Sequence, residues 1–370
     1  MGHVKEYLKM ISNFTESILK KIDEAKKTKK LIVFTIASTA KQESEPFMNP
    51  LREYKDFCIL GCVLFDQGLL IKLIKLIDKK VDIVLVDAEK KIPLHPISYN
   101  QENIPGERTI GNFETGNFSK ICFTSFQNPK VFEYKPNDLT VNAAWMFLSQ
   151  KLNSFTGKKI SILGIGNIGT KLALKLVECG ADVHIYSKDF FKTHLITQAL
   201  NLIKPIGTIA SITCHRDPLS STFASDVIIG ASNGIPVISR DIISSLNKNS
   251  IVIDLGKNNL TESAIELANE YELEICRTDI TSSIESFVAE MLSLSSILNN
   301  DYGSKKINDY LMVGGGYFGK DGSVIVDSVN KPSRIFGVAD GKGSVKKEHT
   351  SFDDNAIEFV ARHFKINISK

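Results

Sequence analysis

Apolar positions along the chain recur at two spacings. Over about 4–28, leucines, isoleucines and lysines follow the three- and four-residue intervals of an amphipathic helix. Short β-rich runs then alternate with helical stretches: a strand over 31–37, a strand over 57–65, a helix over 67–79 and a strand over 81–87. This alternation predicts βαβ units and a mainly parallel sheet. Between 90 and 120 the turn formers Pro93, Pro96, Pro105 and Gly106 interrupt the pattern, which predicts loops over a sheet edge, and the run over 121–126 predicts one more strand.

Pro136-Asn137-Asp138 opens a helix through 152, with Asn or Asp expected to cap its free amides. The Gly157-Lys158-Lys159 turn leads into a second series: strands over 160–163, 182–186, 226–230, 250–254 and 272–276, with helices over 168–179, 190–202, 239–246 and 261–270. A long helix over 282–299 is expected to return toward the first domain. Beyond Tyr302 the glycine groups Gly314-Gly315-Gly316, Asp321-Gly322 and Asp340-Gly341-Lys342-Gly343, with the run 323–329, predict hairpins, and a last helix covers about 353–364.

The turn after 160–163 carries chemistry. Ile160-Ser161-Ile162-Leu163 has the pattern of a buried strand, Gly164-Ile165-Gly166-Asn167-Ile168-Gly169 follows it, and residues 170–179 place apolar side chains at helical spacing. A GxGxxG motif in that context is a dinucleotide-binding fingerprint. Gly164 permits the tight turn, Gly166 lets a pyrophosphate approach the backbone, and Gly169 lets helix and strand pack closely; Asn167 and Ile168 open a helix whose free amides face the phosphates. The expected fold is therefore α/β: an N-terminal α/β domain over 1–135, a doubly wound parallel-sheet Rossmann domain over 136–300 with its linking helices, and a C-terminal β-hairpin and helix segment over 301–370.

The strand over 182–186 ends at Ser187-Lys188, where an NAD-specific domain places a carboxylate on the ribose 2′-hydroxyl. Ser187 does not repel a phosphate and Lys188 can pair with one, which favours NADP over NAD, although Asp189 follows directly. His184, inside the strand, reads as a packed core histidine. At Ser225-Asp226-Val227-Ile228-Ile229-Gly230-Ala231-Ser232-Asn233-Gly234 a strand runs into small residues, so Ser232, Asn233 and Gly234 are candidates for the nicotinamide side. Val252-Ile253-Asp254-Leu255-Gly256 gives a second strand end, adding Asp254 and Gly256.

Composition narrows the classes. A chain of 370 residues exceeds one compact core, and 43% hydrophobic residues suit a globular protein. Runs such as 69–77 are broken by lysines and fall short of the roughly 20 residues a membrane span needs. The start of the chain, with Lys5 and Glu6, lacks the apolar stretch of a secretory leader, so a cytoplasmic protein is expected. Forty-five basic against forty-two acidic side chains leave +3, too little to attract nucleic acid by bulk charge. The cysteines at 58, 62, 122, 179, 214 and 276 are scattered without metal-ligand spacing, so no metal is expected.

Gly157-Lys158-Lys159 before the glycine motif, the Ser187-Lys188 strand end, residues 224–229 leading to Gly234-Ile235-Pro236, and Val252-Ile253-Asp254-Leu255-Gly256-Lys257-Asn258 together resemble methylenetetrahydrofolate and shikimate dehydrogenases over about 135–280. The resemblance implies a substrate-binding N-terminal domain, an NAD(P)-binding Rossmann domain and catalysis in the cleft between them. Asn137-Asp138 sits where shikimate dehydrogenases have a catalytic aspartate. The first domain departs from both families: it has neither the serine-rich shikimate motif nor the Tyr-x-x-x-Lys of the folate enzymes.

Hydride transfer from an alcohol or amine carbon needs a group that takes the proton. Lys41, after the first strand, and Asp138 are the catalytic candidates, expected to face each other as an acid–base pair. Each also has a plain reading, as an exposed loop lysine and a helix cap. Thr140, Lys257, Asn258 and His95 are secondary candidates. The expectation is an NAD(P)-dependent oxidoreductase acting on a small polar metabolite, with a homodimer left open. A lyase, cyclase or epimerase using bound NAD(P) transiently, or a non-catalytic dinucleotide sensor, are the alternatives.

Overall fold

The computed structural model describes residues 2–38, 46–64, 67–89, 118–232 and 234–367, with the side chains of 2–8, 67–68, 282 and 299–300 excepted. Contacts divide the chain into two units, Met1–Ser283 and Ile284–Lys370.

The first unit begins with α1 (Gly2–Lys26), β1 (Leu31–Ser38), β2 (Phe47–Glu53), β3 (Phe57–Leu64), α2 (Gln67–Ile77), β4 (Ile83–Asp87), α3 (Phe118–Ser125) and β5 (Lys130–Tyr134). These strands form a sheet in the order β2-β3-β1-β4-β5. The central strands are near-continuous apolar runs because helices bury both faces of a parallel sheet. Ile18, Ile22, Phe34, Leu60, Leu70 and Leu73 meet in its core. Edge strand β2 pairs antiparallel with β3 and its register shifts between Asn49 and Arg52, around Pro50, which has no N–H to donate.

α4 (Pro136–Leu152) connects this sheet to a second series: β6 (Lys159–Leu163), α5 (Asn167–Glu178), β7 (Asp182–Tyr186), α6 (Phe190–Ile203), β8 (Ile212–Cys214), α7 (Pro218–Thr222), β9 (Val227–Gly230), α8 (Arg240–Ser244), β10 (Ile251–Asp254), α9 (Glu262–Glu270) and β11 (Glu274–Arg277). All pairings in this sheet are parallel, in the order β11-β10-β9-β6-β7-β8. Numbered from β6, that is the doubly wound order 3-2-1-4-5-6, so the Rossmann reading holds at the level of topology.

Two sequence expectations change. Residues 121–126, expected as a strand, belong to helix α3, which buries Phe118, Ser119, Ile121 and Cys122 at helical spacing. A short run of β-branched and aromatic residues fits either element, and tertiary packing decides. The missing strand is β5, immediately after it. Asp138 does not cap α4: the cap position is Lys135, which makes no side-chain capping bond, and Pro136 starts the helix.

α10 (Thr281–Asn300) follows β11. At its start Arg52 of β2 bonds Thr281 and lies 3.6 Å from Asp279, tying this turn to the first sheet. The second unit contains β12 (Gly303–Ile307), β13 (Tyr310–Gly314), β14 (Val324–Val326), β15 (Ile335–Val338) and α11 (Ser351–Phe364). Its strands form one sheet in sequence order, with β13 and β14 parallel, and Met312, Val324, Val326, Ala356 and Val360 fill the space between sheet and helix. Thr350 and Asp353 close a reciprocal capping box on α11. Among the described residues no helix is long and apolar enough to cross a membrane.

Candidate functional site

Glycines shape the turn from β6 into α5. Gly164 has φ +112°, and its N–H donates to the Tyr186 carbonyl at 2.8 Å. A Cβ on Gly164 would stand 2.5 Å from the carbonyl oxygen of Ala231, just past β9. A Cβ on Gly169 would stand 2.0 Å from the Gly164 carbonyl oxygen, so α5 packs directly against the turn that precedes it. Gly166 is different: it is exposed, and no heavy atom lies within 4 Å of where its Cβ would be. It occupies the cap position of α5 with no side-chain cap, which leaves the first-turn amides of Asn167, Ile168 and Gly169 facing that opening. The opening lies at the C-terminal end of β6 beside β9, the switch point where doubly wound sheets bind ligands.

The wall beyond β9 is held by a buried polar chain. Ser232 N–H donates to Asn259 Oδ1 at 2.8 Å, and Asn259 Nδ2 donates to Asp254 Oδ1 at 2.5 Å. Asp254 Oδ2 accepts from Arg277 Nε at 3.3 Å and Nη2 at 3.2 Å. Asn259 is fully buried and Asp254 is 4% exposed. Asp254 therefore faces inward and braces the wall, and Asn259 and Arg277 belong to the same brace although sequence patterning does not mark them. Gly234 is half-buried beyond Ser232, while Asn233 lies outside the described residues. After β10, Gly256 is half-buried, and exposed Lys257 and Asn258 both take left-handed backbone (φ +60° and +59°) that returns the chain to Asn259.

Past β7, Ser187 is half-buried and Lys188 exposed. Asp189, which made the sequence reading of this corner ambiguous, is engaged as the cap of α6, accepting from Lys192 N–H at 3.0 Å. His184 is half-buried, with Nδ1 2.8 Å from Nε2 of His215, and the rings stack with centroids 5.0 Å apart. Burial, with the neighbouring Lys159 and His215, pushes the His184 imidazolium pKa down to about 4. His184 is thus part of a packed pair of histidines rather than an isolated core residue.

The polar groups of the first sheet gather at its C-terminal edge. β1 ends at Ser38 and neighbouring β4 at Asp87, and the Ser38 N–H and hydroxyl both donate to Asp87 Oδ2, at 3.1 and 3.0 Å. Both are buried, where the chain switches from one side of β1 to the other. Asp138, in the first turn of α4, lies 2.8 Å from Lys135 Nζ and is hydrogen-bonded to Lys171 of α5. Burial favours its neutral form, but the two ammonium groups outweigh this and hold its carboxyl below the usual range. Lys171 Nζ is also 4.0 Å from Glu89, just past β4. Lys171 therefore links the helix of the glycine turn to the C-terminal edge of the first sheet. The lysines described beside Asp138, Lys135 and Lys171, are thus ones the sequence reading did not select, while Lys41 and His95 lie outside the described residues. Thr140 bonds back to the Pro136 carbonyl at 3.2 Å within α4.

No protein-family profile matches the chain. A glutamyl-tRNA reductase from Thermosipho melanesiensis is 28% identical over 137 residues, 37% of this chain and 35% of the reductase, so the chain spans about a third of the curated relative it matches. Among solved structures, a shikimate dehydrogenase in complex with NADP+ aligns at 13% identity and TM-score 0.38, over 68% of this chain and 85% of that one. The ornithine carbamoyltransferase from Pyrococcus furiosus aligns at 12% and 0.38, over 74% and 91%. The dipicolinate synthase A chain from Bacillus subtilis aligns at 10% and 0.31, over 73% and 97%. At these values none of the three decides the chemistry, and the fold rests on the strand order itself.

Proposed function

We propose that this chain is an NAD(P)-dependent oxidoreductase acting on a small polar metabolite, with NADP preferred to NAD. The observation that carries the reading is the bare face of Gly166. Its neighbours Gly164 and Gly169 are glycines because backbone crowds them, whereas Gly166 faces open space at the switch point beside the free first turn of α5. The backbone at 166 is therefore open to a pyrophosphate, and a side chain there would stand in its path rather than against the protein. In this reading Gly164, Gly166, Asn167, Ile168 and Gly169 hold the pyrophosphate. Ser232, Asn233, Gly234 and Gly256 line the nicotinamide side, with Asp254 behind them, and Ser187 and Lys188 meet the adenosine ribose. The nicotinamide, when bound, supplies hydride transfer.

The proton is assigned to the first-sheet side. Held ionised between Lys135 and Lys171, Asp138 is suited to accept a hydrogen bond from a substrate hydroxyl or amine and orient it; its lowered pKa makes it a weak base, so the ammonium of Lys171 is the group beside it that can exchange the proton and face a developing negative charge. Lys41, which follows β1 in sequence, is a further candidate for this proton.

The test uses NADPH fluorescence and thermal melts. NADP+ and NADPH should raise the melting midpoint of the parent. Gly166→Val should fold normally, because its side chain meets nothing, yet lose this stabilisation by filling the pyrophosphate path. Equal stabilisation of parent and variant refutes the reading.

A further inference from the structure

The geometry points to Arg216 as the residue that selects a 2′-phosphorylated adenosine, a role that rests on the dinucleotide reading above and extends it to a residue on a different strand. The parallel register of β7 with β8 pairs Val183, His184 and Ile185 with Ile212, Thr213 and Cys214. Continued past the last pair, supported by the His215 N–H donating to the Ile185 carbonyl at 2.9 Å, it sets Arg216 beside Ser187. The Arg216 side chain is exposed, and its guanidinium carbon lies 4.2 Å from the ring centroid of Phe190, the first residue of α6. The cation is thereby held at the corner between the two strand ends, its N–H edge available to a ligand.

The charges around this corner support an anion. Lys188 is exposed beside it. The two nearby carboxylates are each engaged by a helix start: Asp189 by Lys192 N–H at 3.0 Å, and Asp217 by Ser220 N–H at 2.8 Å and the Ser220 hydroxyl at 2.5 Å. A carboxylate turned toward the ribose would accept from a 2′-hydroxyl and repel a phosphate. Here the carboxylates are engaged at the two helix starts instead, and the residue set beside Ser187 is an arginine, whose guanidinium fork matches a phosphate.

Titration of the full chain with NADPH, NADH, adenosine 2′,5′-bisphosphate and AMP tests this, with Arg216→Gln and Lys188→Ala as variants. The parent should bind NADPH more tightly than NADH, and the bisphosphate more tightly than AMP. Arg216→Gln should weaken NADPH and the bisphosphate roughly 10- to 100-fold, as expected for loss of a charge-assisted bond, while leaving NADH and AMP within a few-fold. Arg216→Lys should recover only part of the loss, because lysine keeps the charge without the planar fork. Unchanged far-UV circular dichroism and melting midpoint of the unliganded variants show that folding is intact. A parent that does not discriminate, or a variant that weakens all four ligands alike or none, overturns the assignment to Arg216 and leaves dinucleotide binding standing. A parent that binds none of them overturns both.

Discussion

The carbonyl oxygen of Gly164 occupies the space that any side chain on Gly169 would need: a Cβ there would stand 2.0 Å away. The opposing atom is backbone of the turn itself and cannot rotate aside. Gly169→Ala should therefore shift α5 or the turn and destabilise the protein by about 1–3 kcal/mol, the range for overpacking a well-packed site. A urea or thermal melt should show the loss without any cofactor present. An unchanged midpoint for Gly169→Ala would mean that the helix does not pack against the turn as closely as described. The two glycines differ in kind: position 169 is constrained by the protein's own backbone, whereas a side chain at 166 would meet no protein atom within 4 Å.

Asp138 and Lys171 join two helices that begin at the C-terminal edges of different sheets. The Asp138 side chain is 38% exposed and that of Lys171 33%, so solvent screens the pair and its contribution to stability should be at most about 1 kcal/mol. The sign with pH follows from the lowered Asp138 pKa. Its contribution is present above the ordinary aspartate value of 3.8 and is lost as pH falls through the lower folded value. Asp138→Asn, Lys171→Met and the double variant, melted at pH 7, should give single losses that sum to more than the double loss, by less than about 1 kcal/mol. Strict additivity would show that the pair does not form.

The histidine pair predicts a different pH window. Free histidine takes up its proton near 6.5, whereas folded His184 does so only near 4, so the unfolded chain binds more protons in between. The stability tied to His184 is complete above pH 6.5, declines as pH falls toward about 4 and changes no further below it. Thermal melts between pH 7.5 and 4.5 should therefore show a steeper fall for the parent than for His184→Gln, which has nothing to protonate. Parallel curves for the two proteins would rule out the neutral, packed pair.

How far the sequence reveals this molecule depends on the range of the forces involved. β1, β4 and β6 are legible because a strand buried on both faces must be apolar nearly throughout. Edge strand β2 is not, because Pro50 breaks the pattern and its place depends on a partner, β3, that sequence does not specify. The 218–222 helix had a signal in Asp217-Pro218, a capping residue followed by proline at the first helical position. β8 is only three residues long and leaves almost none. At the site, the glycine turn is local and reads directly from its motif. Lys171, Asn259 and Arg216 acquire their roles from Asp138, Gly230 and Ser187, residues distant in sequence and adjacent only after folding.

Asn259 allows the strongest test of the wall beyond β9. A Cβ on Gly230 would meet its Cβ at 2.5 Å, so the asparagine is seated directly against the end of that strand. Its side chain holds Ser232 on one side and Asp254 on the other, and its own carbonyl accepts from Val237 and Ile238 N–H at 2.8 and 2.9 Å. Truncation in Asn259→Ala spares the backbone bonds but leaves the Ser232 amide and one Asp254 oxygen without this partner in a buried setting. Each such group costs about 1–3 kcal/mol, so a loss of roughly 2–6 kcal/mol is expected in a denaturant melt. Asn259→Asp should be no milder, because it sets a second carboxylate against Asp254 while keeping the size. Gln at 259 keeps the amide but adds a methylene where Gly230 already leaves no room, so it should not rescue. Arg277→Met probes the other oxygen: Arg277 is 58% exposed, but its two bonds go to Oδ2 of the nearly buried Asp254, so its removal also leaves a buried carboxylate oxygen without its partner and should cost about 1–3 kcal/mol. If Asn259→Ala costs less than about 1 kcal/mol, the wall does not depend on this asparagine.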